Sequence, residues 1–151
     1  MAAREGREPQ LLVHAVLEVM TGKVVRTVDM SPIWGKVAER RDVVVAVGPV
    51  GSRSLKWCPL FRYEVRVVHG VGGLSAPVHV SDRFLLPGCV LDDLAEVPAY
   101  TWGRDDAGTG EMWTSNSVVA WLLERSGVST LEPPAGHRAP GWEAGVLMAR
   151  G

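Results

Sequence analysis

Apolar and polar positions near the start of the chain predict a β-hairpin. Residues 10–20 are rich in leucine and valine, which favours a strand over a helix. Thr21 and Gly22 follow as a tight turn, and residues 23–30 again carry the strand pattern. His14 lies within the first of these predicted strands.

Two later segments predict further strands. Residues 42–47 form a continuous apolar run bounded by charged residues and by Gly48-Pro49, which favours a strand buried on both faces. Residues 61–68 alternate between apolar and charged side chains, which is typical of a half-buried antiparallel strand. Residues 78–80 are expected to form another short strand.

The most distinctive helix signal lies late in the chain, from Thr114 to Gly127. Thr114 or Ser115 can cap the helix, and Gly127 fits its left-handed end. Ser115 falls at the N-terminal end of the apolar stripe and is therefore expected to face the sheet, with Asn116 and Ser117 to its sides. The stripe consists of Val118, Val119, Leu122 and Leu123. By its pattern alone, Ser115 is a capping residue.

Together these elements predict the α+β class, with a small antiparallel sheet and a late helix packed on it. A short helix is expected at residues 89–97 and a polar loop at residues 104–111. After the main helix, residues 131–142 contain three prolines and two glycines, which predicts an irregular loop. Residues 1–9 are expected to be a disordered arm, and residues 10–151 a single domain.

The amino-acid composition excludes only a few classes of binding partner. The 151 residues are 46% hydrophobic and 22% charged, as in an average soluble protein. The formal net charge of −1 provides no global field for nucleic acid or an anionic membrane, so neither is expected as a partner. His14 and Glu18 interrupt the first apolar run, which predicts neither a signal peptide nor a membrane span and suggests a cytoplasmic protein.

Other chemistry-bearing residues do not form a recognisable motif. Cys58 and Cys89 lack Cys-x-x-Cys spacing, and whether they pair stays open. His69 and His79 have no third ligand at metal-binding spacing, so no metal is expected. The glycine-rich residues 70–73 are not followed by Lys-Ser or Lys-Thr, and they predict a turn rather than a phosphate-binding loop. No cofactor is expected.

The helix and the tail, however, resemble a known group of proteins. Residues 114–118 read Thr-Ser-Asn-Ser-Val, residues 125–127 read Arg-Ser-Gly, Pro133-Pro134 follows, and residues 139–142 read Ala-Pro-Gly-Trp. This pattern resembles the circularly permuted papain-like superfamily, which includes lecithin retinol acyltransferase, the PPPDE-type isopeptidases and relatives of the NlpC-type peptidases. It looks closest to an uncharacterised bacterial branch with serine in place of the catalytic cysteine.

The resemblance implies roles for particular residues. In the permuted superfamily a histidine on the first strand precedes a nucleophile at a helix N-terminus, which matches the order of His14 and Ser115, with Asn116 in a supporting role. The chain departs from the family at Thr114, where Asn is usual, and at Val118, where an aromatic residue is usual. Four further residues are expected to line a pocket: Trp113, Ser117, His137 and Trp142.

Serine at the nucleophile position changes the chemistry that the site would need. A helix N-terminus stabilises a nearby negative charge by about 0.3–1 kcal/mol, or at most about one pKa unit. That assists a thiol but cannot ionise a hydroxyl, so Ser115 would need His14 as a base and a third group to orient the imidazole. Glu18 and residues 23–29 are the candidates for that third group.

Two functions follow from this reading, and a third hypothesis is a small ligand-binding protein unrelated to the papain-like superfamily. The substitution of serine for cysteine favours a non-catalytic or weakly active binding domain for an unidentified small molecule or peptide. The alternative is a serine-dependent amide or ester hydrolase, or an acyltransferase, that uses Ser115 and His14.

Overall fold

The computed structural model describes residues 11–33, 43–69, 88–128, 132–133 and 135–151. These residues form an α+β structure, as the sequence predicts. Its six strands are β1 (Leu11–Leu12), β2 (Leu17–Thr21), β3 (Val24–Pro32), β4 (Val43–Pro49), β5 (Arg62–His69) and β6 (His137–Arg138), and its two α-helices are α1 (Ser115–Arg125) and α2 (Trp142–Arg150). Strands β2, β3, β5 and β4 form an antiparallel sheet in that spatial order, while β1 pairs in parallel with β6.

The predicted hairpin is confirmed, but its first strand is interrupted. Strands β2 and β3 pair from Leu17 opposite Val28, and Gly22 turns the chain with φ +62°. Residues 13–16 belong to no strand, so the placement of His14 within a strand is wrong. The reason is that the Val13 N–H donates to the Arg138 carbonyl at 3.0 Å, which ties this part of the chain to β6.

Strand β4 is an edge strand, which corrects the expectation that it is buried on both faces. Its only neighbour in the described sheet is β5, and Val43 remains 52% exposed and Val44 42% exposed. A continuous apolar run cannot distinguish a central strand from an edge strand, because both positions accept the same side chains.

Strand β5 is antiparallel as predicted, but its polar face is more buried than the alternation suggests. Glu64 and Arg66 are each 7% exposed in this central strand. The Arg66 guanidinium reaches the Glu64 carboxylate with an N–O distance of 2.7 Å. The ion pair allows both charged groups to be buried, because burying either charge without a partner would cost a large desolvation free energy.

Helix α1 is confirmed, with Thr114 as its N-cap and Gly127 in the left-handed conformation with φ +76°. Its residues from Ser115 to Leu123 are all buried, so the helix is covered on more than the one face predicted. Helix α2, which the sequence did not predict, packs against it. A Cβ on Gly145 of α2 would collide with the Ser117 carbonyl oxygen, so the two backbones are in close contact.

Some predictions are refined, and others fall outside the described residues. The predicted helix at residues 89–97 consists of two short 3-10 helices, Gly88–Leu91 and Asp93–Glu96. The predicted arm at residues 1–9, the turn at 70–73 and the strand at 78–80 lie outside the described residues, as does His79. Among the helices that the structure describes, none is long and apolar enough to cross a membrane.

Candidate active site

The first turn of α1 brings Ser115 against the segment that joins β1 to β2. The Ser115 Oγ atom lies 2.8 Å from His14 Nδ1, within hydrogen-bond distance. The two residues are 101 positions apart in sequence. The sequence therefore identified a pair that the fold brings into direct contact, although His14 lies on a connecting segment and not on a strand.

Asp29 stands on the other side of the His14 ring. Its Oδ1 atom lies 3.9 Å from His14 Nε2, which is longer than a direct hydrogen bond. When Nδ1 accepts a hydrogen bond from the Ser115 hydroxyl, the neutral imidazole carries its own proton on Nε2, on the side of Asp29. The arrangement therefore runs serine, histidine, aspartate, with Asp29 at the end of the 23–29 range expected to contain a third group.

Asn116 fixes the backbone on both sides of His14. Its Oδ1 atom accepts a hydrogen bond from the Ala15 backbone N–H at 2.7 Å, and its Nδ2 group donates to the Val13 carbonyl at 3.1 Å. The same Nδ2 group donates to the Pro140 carbonyl at 3.1 Å. Asn116 is 4% exposed. Its amide group supplies the backbone hydrogen bonds that a neighbouring strand would otherwise make with residues 13–15.

Thr114 accepts hydrogen bonds from two of the three backbone N–H groups in the first turn of α1. The Asn116 N–H donates to Thr114 Oγ1 at 3.2 Å, and the Ser117 N–H donates to the Thr114 carbonyl at 3.1 Å. Among the described residues, the Ser115 N–H has no such acceptor. This is the backbone donor closest to the Ser115 hydroxyl, and it points out of the positive end of the helix dipole.

Ser117 has a structural role in this cap. Its Oγ atom accepts a hydrogen bond from the Thr114 N–H at 2.9 Å, which completes a reciprocal capping box. Thr114 Oγ1 in turn donates to the Pro140 carbonyl at 2.7 Å. The segment before α2 is thus attached to the start of α1, and Ser117, which is 0% exposed, is enclosed between them.

The other expected pocket residues lie in different surroundings. Trp113 is 1% exposed and packs edge-to-face on Tyr100, with ring centroids 5.1 Å apart. Trp142 is the first residue of α2 and packs partly buried against the core. His137 lies on β6 opposite Leu11, and its Nδ1 atom is 3.2 Å from the Ala135 carbonyl oxygen. Within the described part of the chain, none of these three side chains hydrogen-bonds to His14 or Ser115.

The three central side chains differ in their exposure to solvent. Ser115 is 4% exposed, whereas the side chains of Asp29 and His14 are 23% and 52% exposed. Of the three side chains, His14 is thus the most accessible to solvent and Ser115 the least. Over the residues that the structure describes, no cluster of three or more histidine, cysteine or acidic side chains could hold a metal ion.

Sequence reasoning named Ser115, His14 and a supporting Asn116, but it did not foresee which groups Asn116 would bind. A polar residue in the first turn of a helix is readily explained as a capping side chain, and no local pattern reveals that two of its partners, at Val13 and Ala15, lie about a hundred residues earlier. In comparisons with known proteins, no family model, curated protein or solved structure matches the chain.

Proposed function

We propose that the protein is a serine-dependent hydrolase or acyltransferase that acts on an ester or amide. The observation that carries this proposal is the 2.8 Å contact between Ser115 Oγ and His14 Nδ1, with Asp29 on the far side of the same ring. A hydroxyl becomes an effective nucleophile when a positioned base removes its proton during attack.

In the proposed reaction, Ser115 Oγ attacks the substrate carbonyl carbon while His14 Nδ1 takes the hydroxyl proton. The negative charge on the carbonyl oxygen is stabilised by the Ser115 N–H and by the helix dipole. Asp29 stabilises the imidazolium and holds its orientation. His14 then returns the proton to the leaving alcohol or amine, and water or a second nucleophile releases the acyl group from Ser115.

The same features support membership of the permuted papain-like superfamily as part of the proposal. The histidine precedes the nucleophile in sequence, the nucleophile opens a buried helix, and that helix packs on an antiparallel sheet. Fold-level analogy does not establish an activity, so the proposal depends on the Ser115–His14 geometry.

A second candidate is a binding domain that has lost the reaction. It is favoured by the 4% exposure of Ser115 and by a separate open groove of about 240 Å³. The groove has an apolar floor with one arginine and one histidine, a combination suited to a small apolar ligand or peptide with a negative group. Its lining residues are Arg26, Val43, Val45, Val67, His69, Leu91 and Leu94.

Covalent labelling with a fluorophosphonate distinguishes the two candidates. The wild type should be labelled at one site, and Ser115→Ala should abolish the labelling. Ser54→Ala is the matched control, because Ser54 is an exposed serine in a 3-10 helix and should contribute no label. Equal labelling of wild type and Ser115→Ala, or no labelling of either, would exclude Ser115 as the nucleophile and favour the binding domain.

Replacing the hydroxyl with a thiol provides a second test. The new thiol of Ser115→Cys should react with iodoacetamide faster than Cys58, a free cysteine outside the site. The expected reason is that the helix N-terminus and His14 both favour a thiolate at this position. If the introduced thiol reacts no faster than Cys58, the local field does not support a nucleophile.

A further inference from the structure

The loop that joins β4 to β5, residues 50–61, is held together by backbone hydrogen bonds. Its ends are closed by a hydrogen bond from the Val50 N–H to the Phe61 carbonyl at 2.7 Å. Between them lie two 3-10 helices, Arg53–Leu55 and Pro59–Phe61, joined by a hydrogen bond from the Cys58 N–H to the Leu55 carbonyl at 2.9 Å. The 50–61 loop therefore has a defined backbone and does not need to fold on contact with a partner.

Large apolar side chains are exposed along the 50–61 loop. Trp57 is 83% exposed, and Leu60 is 66% exposed. Leu55 and Phe61 are 38% and 41% exposed, so four large apolar side chains within seven residues meet solvent. Isolated exposed apolar residues are common on proteins, but four of them within seven residues of one loop are typical of a contact surface.

The charge of the 50–61 loop is positive, although the chain as a whole carries −1. Residues 50–61 include Arg53 and Lys56 and contain no acidic residue, while Arg62, just after the loop, pairs with Glu64 at 3.2 Å. The Lys56 ammonium lies 4.8 Å from the centre of the Trp57 ring, so the cation and the aromatic side chain are held together. The Asp106 carboxylate, from the loop at residues 104–111, lies 3.5 Å from the Arg53 guanidinium.

We propose that the 50–61 loop contacts the surface of an anionic phospholipid bilayer. Trp57 and Leu60 enter the headgroup region, where amphipathic aromatic and apolar side chains are favoured. Arg53 and Lys56 then lie at the level of the lipid phosphates. The net charge of the whole chain argued against a membrane partner, but attraction to a charged surface depends on the residues within a Debye length of it.

A lipid surface fits the loop better than a protein partner does. A stable protein–protein contact buries about 800 Å² on each side, which is more than one short loop can offer. A second copy of the chain docked loop to loop would bring like charges together. A bilayer imposes no such limits, because a few inserted side chains and cations suffice for reversible binding. This proposal does not depend on a reaction at Ser115.

Vesicle co-sedimentation tests the proposal on the full chain. The protein should bind vesicles of phosphatidylcholine mixed with phosphatidylglycerol, and it should bind phosphatidylcholine alone much more weakly. Lys56→Gln should weaken binding roughly fivefold, the usual effect of one basic residue near an anionic surface. Trp57→Ala should weaken it roughly tenfold or more, through the loss of the inserted ring.

Met20→Ala is the matched control, because Met20 is 54% exposed on β2, away from the 50–61 loop. It should bind vesicles as the wild type does. Circular dichroism should be unchanged in every variant, since each replaced side chain is exposed. Failure of the wild type to bind anionic vesicles, or equal binding by Trp57→Ala, would overturn the proposal. So would a concentration-dependent dimer that is lost in Trp57→Ala, which would identify a second copy as the occupant.

Discussion

Asn116 and Ala15, which are 101 residues apart, are joined by a 2.7 Å hydrogen bond between the Asn116 side-chain oxygen and the Ala15 backbone N–H. Together with the bond from Asn116 to the Val13 carbonyl, this contact holds the backbone on each side of His14. The residue next to the proposed nucleophile therefore determines where the proposed base lies. His14 belongs to no helix or strand, so local secondary structure does not set its position.

Replacing Asn116 should disturb stability and the site together. Asn116→Ala leaves the Val13 carbonyl and the Ala15 N–H without their partners, and we expect a loss of roughly 2 kcal/mol or more in the free energy of unfolding. Fluorophosphonate labelling should also slow under conditions where the variant is fully folded, because His14 is no longer held at Ser115. Chemical denaturation and labelling rates measure the two effects.

Ser126→Ala is the control for this variant. Ser126 donates to the Leu122 carbonyl at 2.7 Å at the other end of α1, so it too loses a side-chain hydrogen bond. Its effect on stability should stay below about 1 kcal/mol, and labelling should be unchanged. If Asn116→Ala were labelled as fast as Ser126→Ala, the proposed positioning of His14 by Asn116 would be wrong.

Asp29 is expected to act through His14. Asp29→Asn keeps the shape of the side chain but removes the charge that would stabilise the imidazolium, so labelling should slow at least about tenfold. Glu18→Gln is the control, since Glu18 is an exposed carboxylate on the adjacent strand β2 and was the other candidate for this role. An equal loss in both variants would point to a general effect of charge and away from Asp29.

The contact between α1 and α2 should not tolerate a side chain at Gly145. An added Cβ would overlap the Ser117 carbonyl oxygen and lie 2.8 Å from the Ala120 Cβ, so the helices would have to separate. Gly145→Ala should lower the free energy of unfolding by about 1–3 kcal/mol. Gly151→Ala, where the nearest atom is the Leu147 carbonyl oxygen at 3.9 Å, should change it little in the same denaturation experiment.

The stabilisation that Asp105 gives to the loop at residues 104–111 should depend on pH. The Asp105 carboxylate accepts hydrogen bonds from the Thr109 N–H at 2.8 Å and the Gly110 N–H at 2.9 Å, and these bonds lower the pKa of Asp105. A lowered pKa in the folded state adds stability that is complete above the unfolded pKa of about 3.9 and is lost as the pH falls through the folded pKa.

Asp105→Ala should therefore have a lower Tm than the wild type at neutral pH, and the difference should shrink below about pH 4. Thermal unfolding over a pH series measures it. Asp92→Ala is the control, because the exposed Asp92 side chain makes no hydrogen bond to the 3-10 helix that it precedes. A Tm difference for Asp105→Ala that stays constant down to acid pH would contradict the role of the ionised carboxylate.

The sequence by itself determined the features that depend on a few neighbouring residues. Thr114 and Gly127 set the ends of α1, because capping and the left-handed stop act within one turn of a helix. Gly22 set the turn between β2 and β3 in the same way. The sequence also paired His14 with Ser115, because their order in the chain matches that of the histidine and the nucleophile in the superfamily that the chain resembles.

The tertiary structure decided which of these residues meet and what surrounds them. The edge position of β4, the covering of α1 by α2 and the approach of Asp29 to His14 all depend on packing between distant segments. The bonds from Asn116 to the backbone around His14 belong to the same class, since the sequence shows only a polar residue in the first turn of a helix. Local propensities depend on only a few neighbouring residues. The proposed site depends on the contact between His14 and Ser115, which are separated by two thirds of the chain.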